Sequence, residues 1–269
     1  MNKVIIDNLK NIDTEEITVT KEESKLLDVK VIKIKIKKDT SLEIAFQKDV
    51  KADIYINIEK NVKANIYQLK ENGTYKLQYK YYLEENSYLN TENIIDAKQI
   101  KEMTVINLNG QNAEINYNLK TISKEEEKYN FLVYHKAKNT ISHIRNNGVN
   151  IKEGKLEFNV SSFVNNGIKG CNIAQDGRII NMTKNICTIK PNLFIDENDV
   201  IANHSALIGT FSFNEIFYIM SRGIEKKDAE NLLTQGFLLK NITHYENKIK
   251  EIINKYWRWL KWIEKISKS

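Results

Sequence analysis

From about residue 29 onward the chain alternates apolar and polar residues in short runs, and no other feature narrows its possible folds as far. Ile32, Ile34 and Ile36 alternate with lysines, followed by Leu42, Ile44 and Phe46, then Ile54, Ile56 and Ile58, then Tyr75, Leu77, Tyr79 and Tyr81. Successive side chains of a β-strand point to opposite faces, so a period of two describes strands with one buried face. Ala113, Ile115, Tyr117 and Leu119 continue the pattern, as do Phe131 with Val133 and Leu156 with Phe158 and Val160. Strand starts recur roughly every ten to twelve residues with Asn, Asp, Gly and Lys between them, the spacing of a sandwich, a barrel or a β-solenoid.

Turn chemistry leans toward the solenoid. Ten glycines and one proline support few tight primed hairpins, because those turns need residues with positive φ. Asn and Asp tolerate the left-handed conformation and suit the gentler corners of a stacked coil. Lys-x-Val-Lys-Ala-x-Ile-Tyr occurs at residue 48 and again at residue 60, an echo that neighbouring strands of a coil could leave.

Composition limits what such a coil could do. At 269 residues, 41% hydrophobic and 28% charged, the chain can bury one large core or two modest ones. The start, MNKVIIDNLK, lacks the apolar run of a secretory signal, and no stretch approaches the length of a membrane span, so a cytoplasmic location is expected. Two cysteines, Cys171 and Cys187, fit a reducing compartment and carry no zinc-type spacing. The net charge of +6 concentrates in the tail: from Lys240 onward there are eight basic and three acidic residues, leaving 33 against 32 in the body. A groove tracking phosphates needs basic residues gathered on the body, so nucleic acid is not an expected partner.

After residue 205 the period becomes helical. Ser212 and Glu215 have the spacing of a capping box. The helix they start carries Ile216, Phe217 and Met220, widened by Tyr218 and Ile219, and Gly223 follows as a left-handed terminator. A second helix begins near Lys226 with Ala229, Leu232, Leu233 and Phe237, making Ser221-Arg222-Gly223 a helix-to-helix junction. In the tail, Ile249, Ile252, Ile253, Tyr256, Leu260 and Ile263 fall on one helical arc flanked by Trp257 and Trp259, opposite Lys250, Asn254, Arg258, Lys261 and Lys265. Such a basic amphipathic helix suits either an anionic membrane or the protein's own core, and packing over the helical domain is the expectation.

The stretch from 189 to 238 resembles the carboxy-terminal core of the SufB/SufD family of iron-sulfur cluster assembly proteins. The resemblance rests on Lys190-Pro191-Asn192-Leu193-Phe194-Ile195, Asn198-Asp199-Val200, Asn203-His204-Ser205, Phe217-Tyr218 and Arg222-Gly223-Ile224, and reaches back to about Ser142. It implies a mainly β protein, a right-handed parallel β-helix (β-solenoid) followed by a small C-terminal α-helical domain. The expected division is a lead-in segment over 1–28, a β-helix core over 29–204 and a helical domain over 205–269.

The resemblance further implies a non-ATPase subunit, not itself an enzyme, with two kinds of partner: a SufC-like ABC ATPase, and a SufB-like subunit or a second copy of the chain. Phe217, Tyr218, Arg222, Gly223 and Ile224 are the positions that match the ATPase-binding element. Counting back from His204, Asp176 stands where the family's scaffold member has a cysteine, and Ser205 replaces its glutamate. Both departures make the chain SufD-like, since a carboxylate cannot carry persulfide sulfur. His204, Asp176 and Cys187 are the candidate iron or cluster positions, with His204 the candidate metal ligand. No stably bound cofactor is expected, only transient iron or cluster at a subunit interface. The alternatives are a cluster-carrying homodimeric scaffold of a minimal SufB/SufC-type system and a purely structural adaptor solenoid. A polysaccharide-cleaving β-helix is disfavoured, because the Asp and Glu residues fall mostly in corners.

Overall fold

The structure is a computed structural model that describes residues 2–5, 11–24 and 29–267. Its first strands are β1 (Asn2–Ile5), β2 (Ile12–Asp13), β3 (Ile17–Ser24), β4 (Val29–Ile36), β5 (Thr40–Phe46), β6 (Val50–Ile58), β7 (Lys63–Glu71), β8 (Thr74–Leu83) and β9 (Tyr88–Asp96). The series continues through β10 (Gln99–Leu108), β11 (Glu114–Ser123), β12 (Glu126–His135), β13 (Ile141–Asn150), β14 (Lys155–Val164), β15 (Cys171–Asn181), β16 (Thr188–Ile195) and β17 (Val200–Gly209). Three helices follow, α1 (Phe213–Met220), α2 (Lys226–Leu239) and α3 (Glu246–Ser267).

From β4 on, consecutive strands alternate between two sheets. One sheet runs β1-β5-β7-β9-β11-β13-β15-β17 and the other β16-β14-β12-β10-β8-β6-β4-β3-β2. Every pair beyond β4 is parallel, so the chain winds as a parallel β-solenoid of about 6 turns. Each turn contributes one strand to each sheet. The repeated Lys-x-Val-Lys-Ala-x-Ile-Tyr motif therefore falls on β6 and β7, which lie in opposite sheets. It marks half a turn, and the true repeat is twice as long. Residues within 1–28 add strands at the start of the coil: β1 pairs with β5 and β3 pairs antiparallel with β4 and with β2, while residues 1, 6–10 and 25–28 lie outside the described set.

Asparagine makes the corners, as the scarcity of glycine suggested. Asn61, Asn86, Asn112 and Asn139 hold φ of 61°, 54°, 58° and 57°, a region that Asn tolerates better than most residues. Each donates its backbone N–H to the next turn, to the carbonyls of Glu85, Gln111, Lys138 and Lys169. Their side chains also form a ladder, Asn86 Nδ2 donating to Asn61 Oδ1 at 2.9 Å and Asn112 Nδ2 to Asn86 Oδ1 at 2.8 Å. The ladder ends at Gly170, with φ 73°, where a Cβ would sit 2.2 Å from Asn139 Oδ1.

The interior is apolar over most of its length, with a continuous cluster from Ile17 to Ile179. Within it lies a buried ion pair, Lys70 Nζ to Glu102 Oε2 at 3.2 Å. Tyr117 and Thr104 donate to Glu102 Oε1 at 3.2 and 3.0 Å. Gln68 joins Tyr79 and Tyr81 beside them. Burial pulls the Lys70 amine down, while Glu102 opposes that shift. Glu127 is also buried and accepts from Thr121 Oγ1 at 2.6 Å and Tyr129 OH at 2.8 Å. With no cation bonded to it, desolvation raises its carboxyl to about 7.

The helices cover part of the outer face of the first sheet. Ile94, Ile122, Val149 and Ile180 point outward from their strands and pack with Leu238, Ile249, Ile252, Ile253 and Trp257, each fully buried aliphatic side chain contributing roughly 1.5–3 kcal/mol. The tail helix therefore packs on the coil as well as on α2, more broadly than packing over the helical domain alone. Side chains at Leu260, Lys261, Ile263 and Lys265 lie outside the described set. Polar bonds fix the helix along its length. The Glu92 carboxylate accepts the backbone N–H groups of Thr243 and His244, both at 3.0 Å, and Thr243 Oγ1 at 2.6 Å. Lys248 pairs with Glu71 at 2.7 Å, and the Tyr256 hydroxyl donates to Asp96.

Two stability outcomes follow from these features. Replacing Asn86 by Ala forces a left-handed φ on a residue that resists it and removes ladder bonds, at an expected cost of about 2–3 kcal/mol; Asn86→Gly relieves the φ strain and should cost less. Urea unfolding of the two variants measures the difference. For Glu127 the folded pKa lies above the unfolded one, so the folded state binds more protons between about pH 4.5 and 7. Its contribution to stability thus falls as pH rises through that window, by about 3 kcal/mol. In Glu127→Gln this fall should vanish, read as the difference from wild type in unfolding free energy at pH 5 and pH 7.5.

Candidate functional site

The last turn of the coil is open. Among the described residues, β16 and β17 are the final strands of their sheets, each paired on one side only. The register of β17 on β15 sorts its side chains. His204 stands opposite Gln175, and Gln175 is buried inside the coil, where its Nε2 donates to Ser162 Oγ at 2.7 Å and to the Asn192 carbonyl at 3.0 Å. In-register parallel partners point the same way, so His204 faces the interior side of the coil and is exposed because no further turn covers it. Ser205 is one residue on and faces outward, opposite Asp176. Its Oγ donates to Asp176 Oδ1 at 2.8 Å.

His204 and Asp176 therefore sit on adjacent strands but on opposite faces of the sheet. Cys187 precedes β16 in the other sheet, half-buried against the interior cluster, and burial pushes its thiol up. A thiol held protonated is a weak metal ligand. Cys171 is buried, with its Sγ 3.3 Å from Thr140 Oγ1. Among the described residues, no group of three or more His, Cys, Asp or Glu side chains converges in a way that could hold a metal ion.

The last turn carries exposed apolar side chains. On the outward face of β17, Ile201 is 63% and Leu207 54% exposed. On β16, Phe194 is the last ring of an outward stack, 4.9 Å from Phe163, which lies 4.8 Å from Tyr134. Unpaired edge strands beside exposed apolar side chains offer both backbone and hydrophobic contacts to another chain.

α1 forms the second feature. Ser212 Oγ accepts from the Glu215 N–H at 3.1 Å and Glu215 Oε2 accepts from the Ser212 N–H at 3.0 Å, the reciprocal capping box expected from the sequence. That backbone donor holds the Glu215 carboxyl below its usual range. None of the eight residues of the helix is buried. Ile216 packs partly against the tail helix cluster, whereas Phe217 and Tyr218 are 59% and 60% exposed, with Phe213 stacked on Phe217 at 5.8 Å.

The junction after α1 is ordered by local bonds. Ser221 Oγ donates to the Tyr218 carbonyl at 2.8 Å. Arg222 lies 4.6 Å over the Tyr218 ring and donates to its hydroxyl, Gly223 takes φ 82° and Ile224 is half-buried. Phe217 is paired with Phe213, and Tyr218 with Arg222, both pairs exposed on α1 and the turn that Gly223 shapes.

The comparisons agree with this architecture. Residues 18–237 match the model of the SufBD core domain of SUF system FeS cluster assembly. Iron-sulfur cluster assembly protein SufD of Bacillus subtilis is 31% identical over 146 residues, 53% of this chain and 33% of that protein. SufBD family proteins of Mycobacterium tuberculosis and Staphylococcus epidermidis are each 30% identical over 106 residues, 39% of this chain and 12% and 23% of those proteins. The matched stretches thus span a third or less of these relatives. The family match covers most of the β-solenoid together with α1 and much of α2, and on it the chain belongs to the SufBD core-domain family of iron-sulfur cluster assembly proteins.

Proposed function

We propose that the chain serves as a non-ATPase subunit of a cytoplasmic SUF-type assembly complex, docking a SufC-like ABC ATPase through α1 and the turn after it. The observation that carries this reading is the exposed aromatic side chains of a capped, eight-residue helix with no buried residue. Aromatic and arginine side chains dominate the energetics of most interfaces, and here Tyr218 and Arg222 are already ordered against each other. Little conformational entropy remains to be lost when they bind.

The open end of the coil suits pairing with a SufB-like subunit or with a second copy. Such a partner would cover the edges of β16 and β17 and bring its own side chains over His204. Iron or cluster is then transient cargo held between subunits, His204 supplying one ligand from this side. Asp176, bonded to Ser205 on the outer face, is a poor substitute for a sulfur-bearing cysteine. A subunit of this kind supports assembly without storing cluster.

Three outcomes test the reading. Tyr218→Ala and Arg222→Ala should leave the melting temperature within about 2 °C of wild type, since both side chains are exposed, yet abolish co-purification with the ATPase; undiminished binding by both variants overturns the docking role. For the pairing surface, Ile201→Lys combined with Leu207→Lys should break the dimer of the chain, or its complex with a SufB-like subunit, in light scattering, and an unchanged mass of whichever complex the wild type forms excludes this end as the interface. Anaerobic reconstitution of the isolated chain should leave no iron or sulfide after desalting, whereas about four of each per chain would point to the cluster-carrying alternative.

A further inference from the structure

One corner of the coil lines up lysines where the opposite corner lines up asparagines. Lys98, Lys124 and Lys152 follow β9, β11 and β13, occupying the same bend of three consecutive turns. α3 runs past this bend and adds Lys255 and Tyr256, enclosing an open pocket of about 340 Å³.

The carboxylates nearby do not balance these cations. Asp96 is buried and accepts Lys124 Nζ at 2.7 Å, with Lys255 Nζ at 3.6 Å from its other oxygen. Glu125 accepts Gln99 Nε2 at 2.7 Å. Even with Glu127, buried within electrostatic reach of Lys124 and its carboxyl raised to about 7, four ammonium groups face three carboxylates. Lys152 reaches over an aromatic ring instead of an acid, its Nζ 3.5 Å from the centroid of Trp259. Burial draws its amine down, and the charges of Lys124 and Lys255 add to that shift, as expected of like charges gathered without a counterion.

We propose that this pocket is a binding site for a phosphate-type oxyanion, a free pyrophosphate-like ion or the phosphorylated head group of a lipid. Such an anion would complete the charge balance, bridging Lys98 and Lys152 at the mouth while Lys124 and Lys255 stay on Asp96. Lysine ammonium groups recognise phosphate as point charges, and Tyr256, whose hydroxyl is held by Asp96 and Lys124, walls the pocket beside them. The basic character of the tail then serves a local site at the seam between helix and coil. Lys152 holds φ 54°, so Lys152→Asn preserves the backbone while removing the charge.

The experiment uses the full chain at low ionic strength. Sodium pyrophosphate is titrated by calorimetry and by tryptophan emission, which reports on Trp259 beneath Lys152, and sedimentation with phosphatidylglycerol or phosphatidylcholine vesicles forms the second arm. Saturable binding of pyrophosphate, or of the anionic vesicles alone, supports the site and separates a free ion from a lipid head group. Lys98→Gln combined with Lys152→Asn should weaken whichever binding is seen by roughly tenfold or more. The charge-matched pair Lys138→Gln and Lys169→Gln, both on the opposite corner of the coil, should leave it unchanged. No binding in either arm overturns the proposal, as does binding that survives the first pair or falls equally with the second.

Discussion

Backbone pairing between successive turns is the constraint on which the rest of this molecule depends. A parallel strand in a solenoid satisfies its N–H and C=O groups on the strands before and after it in the stack, so every inner turn is complete. The two ends are the only places where the ladder must stop. At the amino-terminal end the chain handles this with the antiparallel β2–β3 ribbon laid beside β4. At the other end β16 and β17 stop without such a cover. The amino-terminal end thus carries that ribbon on one sheet and β1 on the other, whereas β16 and β17 stand beside the exposed Phe194, Ile201 and Leu207, which is why the proposed pairing is assigned there.

The corners obey the same logic at smaller scale. A stacked coil needs the same backbone bend at the same place in each turn, and a left-handed asparagine supplies it with a side chain able to bond its counterpart above and below. The ladder adds side-chain hydrogen bonding along the solenoid axis, parallel to the backbone pairing. It also explains how a chain with ten glycines and one proline turns so often.

Much of the coil was legible in the sequence because strand parity is written locally. Ile54, Ile56 and Ile58 alternate in the sequence and alternate in the fold. Parity even marks the buried charges: Lys70 follows Ala64, Ile66 and Gln68 on the inward positions of β7, and its partner Glu102 follows Ile100 on β10. A charged residue at an inward position looks locally like a break in the pattern, so a buried ion pair is not distinguishable there from the sequence alone. Lateral register was not legible, because nothing in the stretch around His204 states that it will stand beside Gln175. The outward aromatics of α1 were equally silent. Phe217 and Tyr218 have the same spacing whether they meet a core or a partner, and the capping box at Ser212 and Glu215 fixes where the helix starts without saying which way it faces.

The attachment of α3 has a mechanical consequence. Thr243 and Tyr256 are bonded to Glu92 and Asp96, 151 and 160 residues earlier in the chain, and Lys248 is bonded to Glu71. Tension applied to α1 and α2 therefore has two routes into the coil: through the peptide linkage to β17, and through α3 to the middle turns. The first route ends on a strand held by a single neighbour. The second ends on strands held from both sides, with carboxylate and hydrophobic contacts loaded together across the helix. A pull on the helices would thus be shared with the stiff midsection of the solenoid, sparing the weakest rung from peeling.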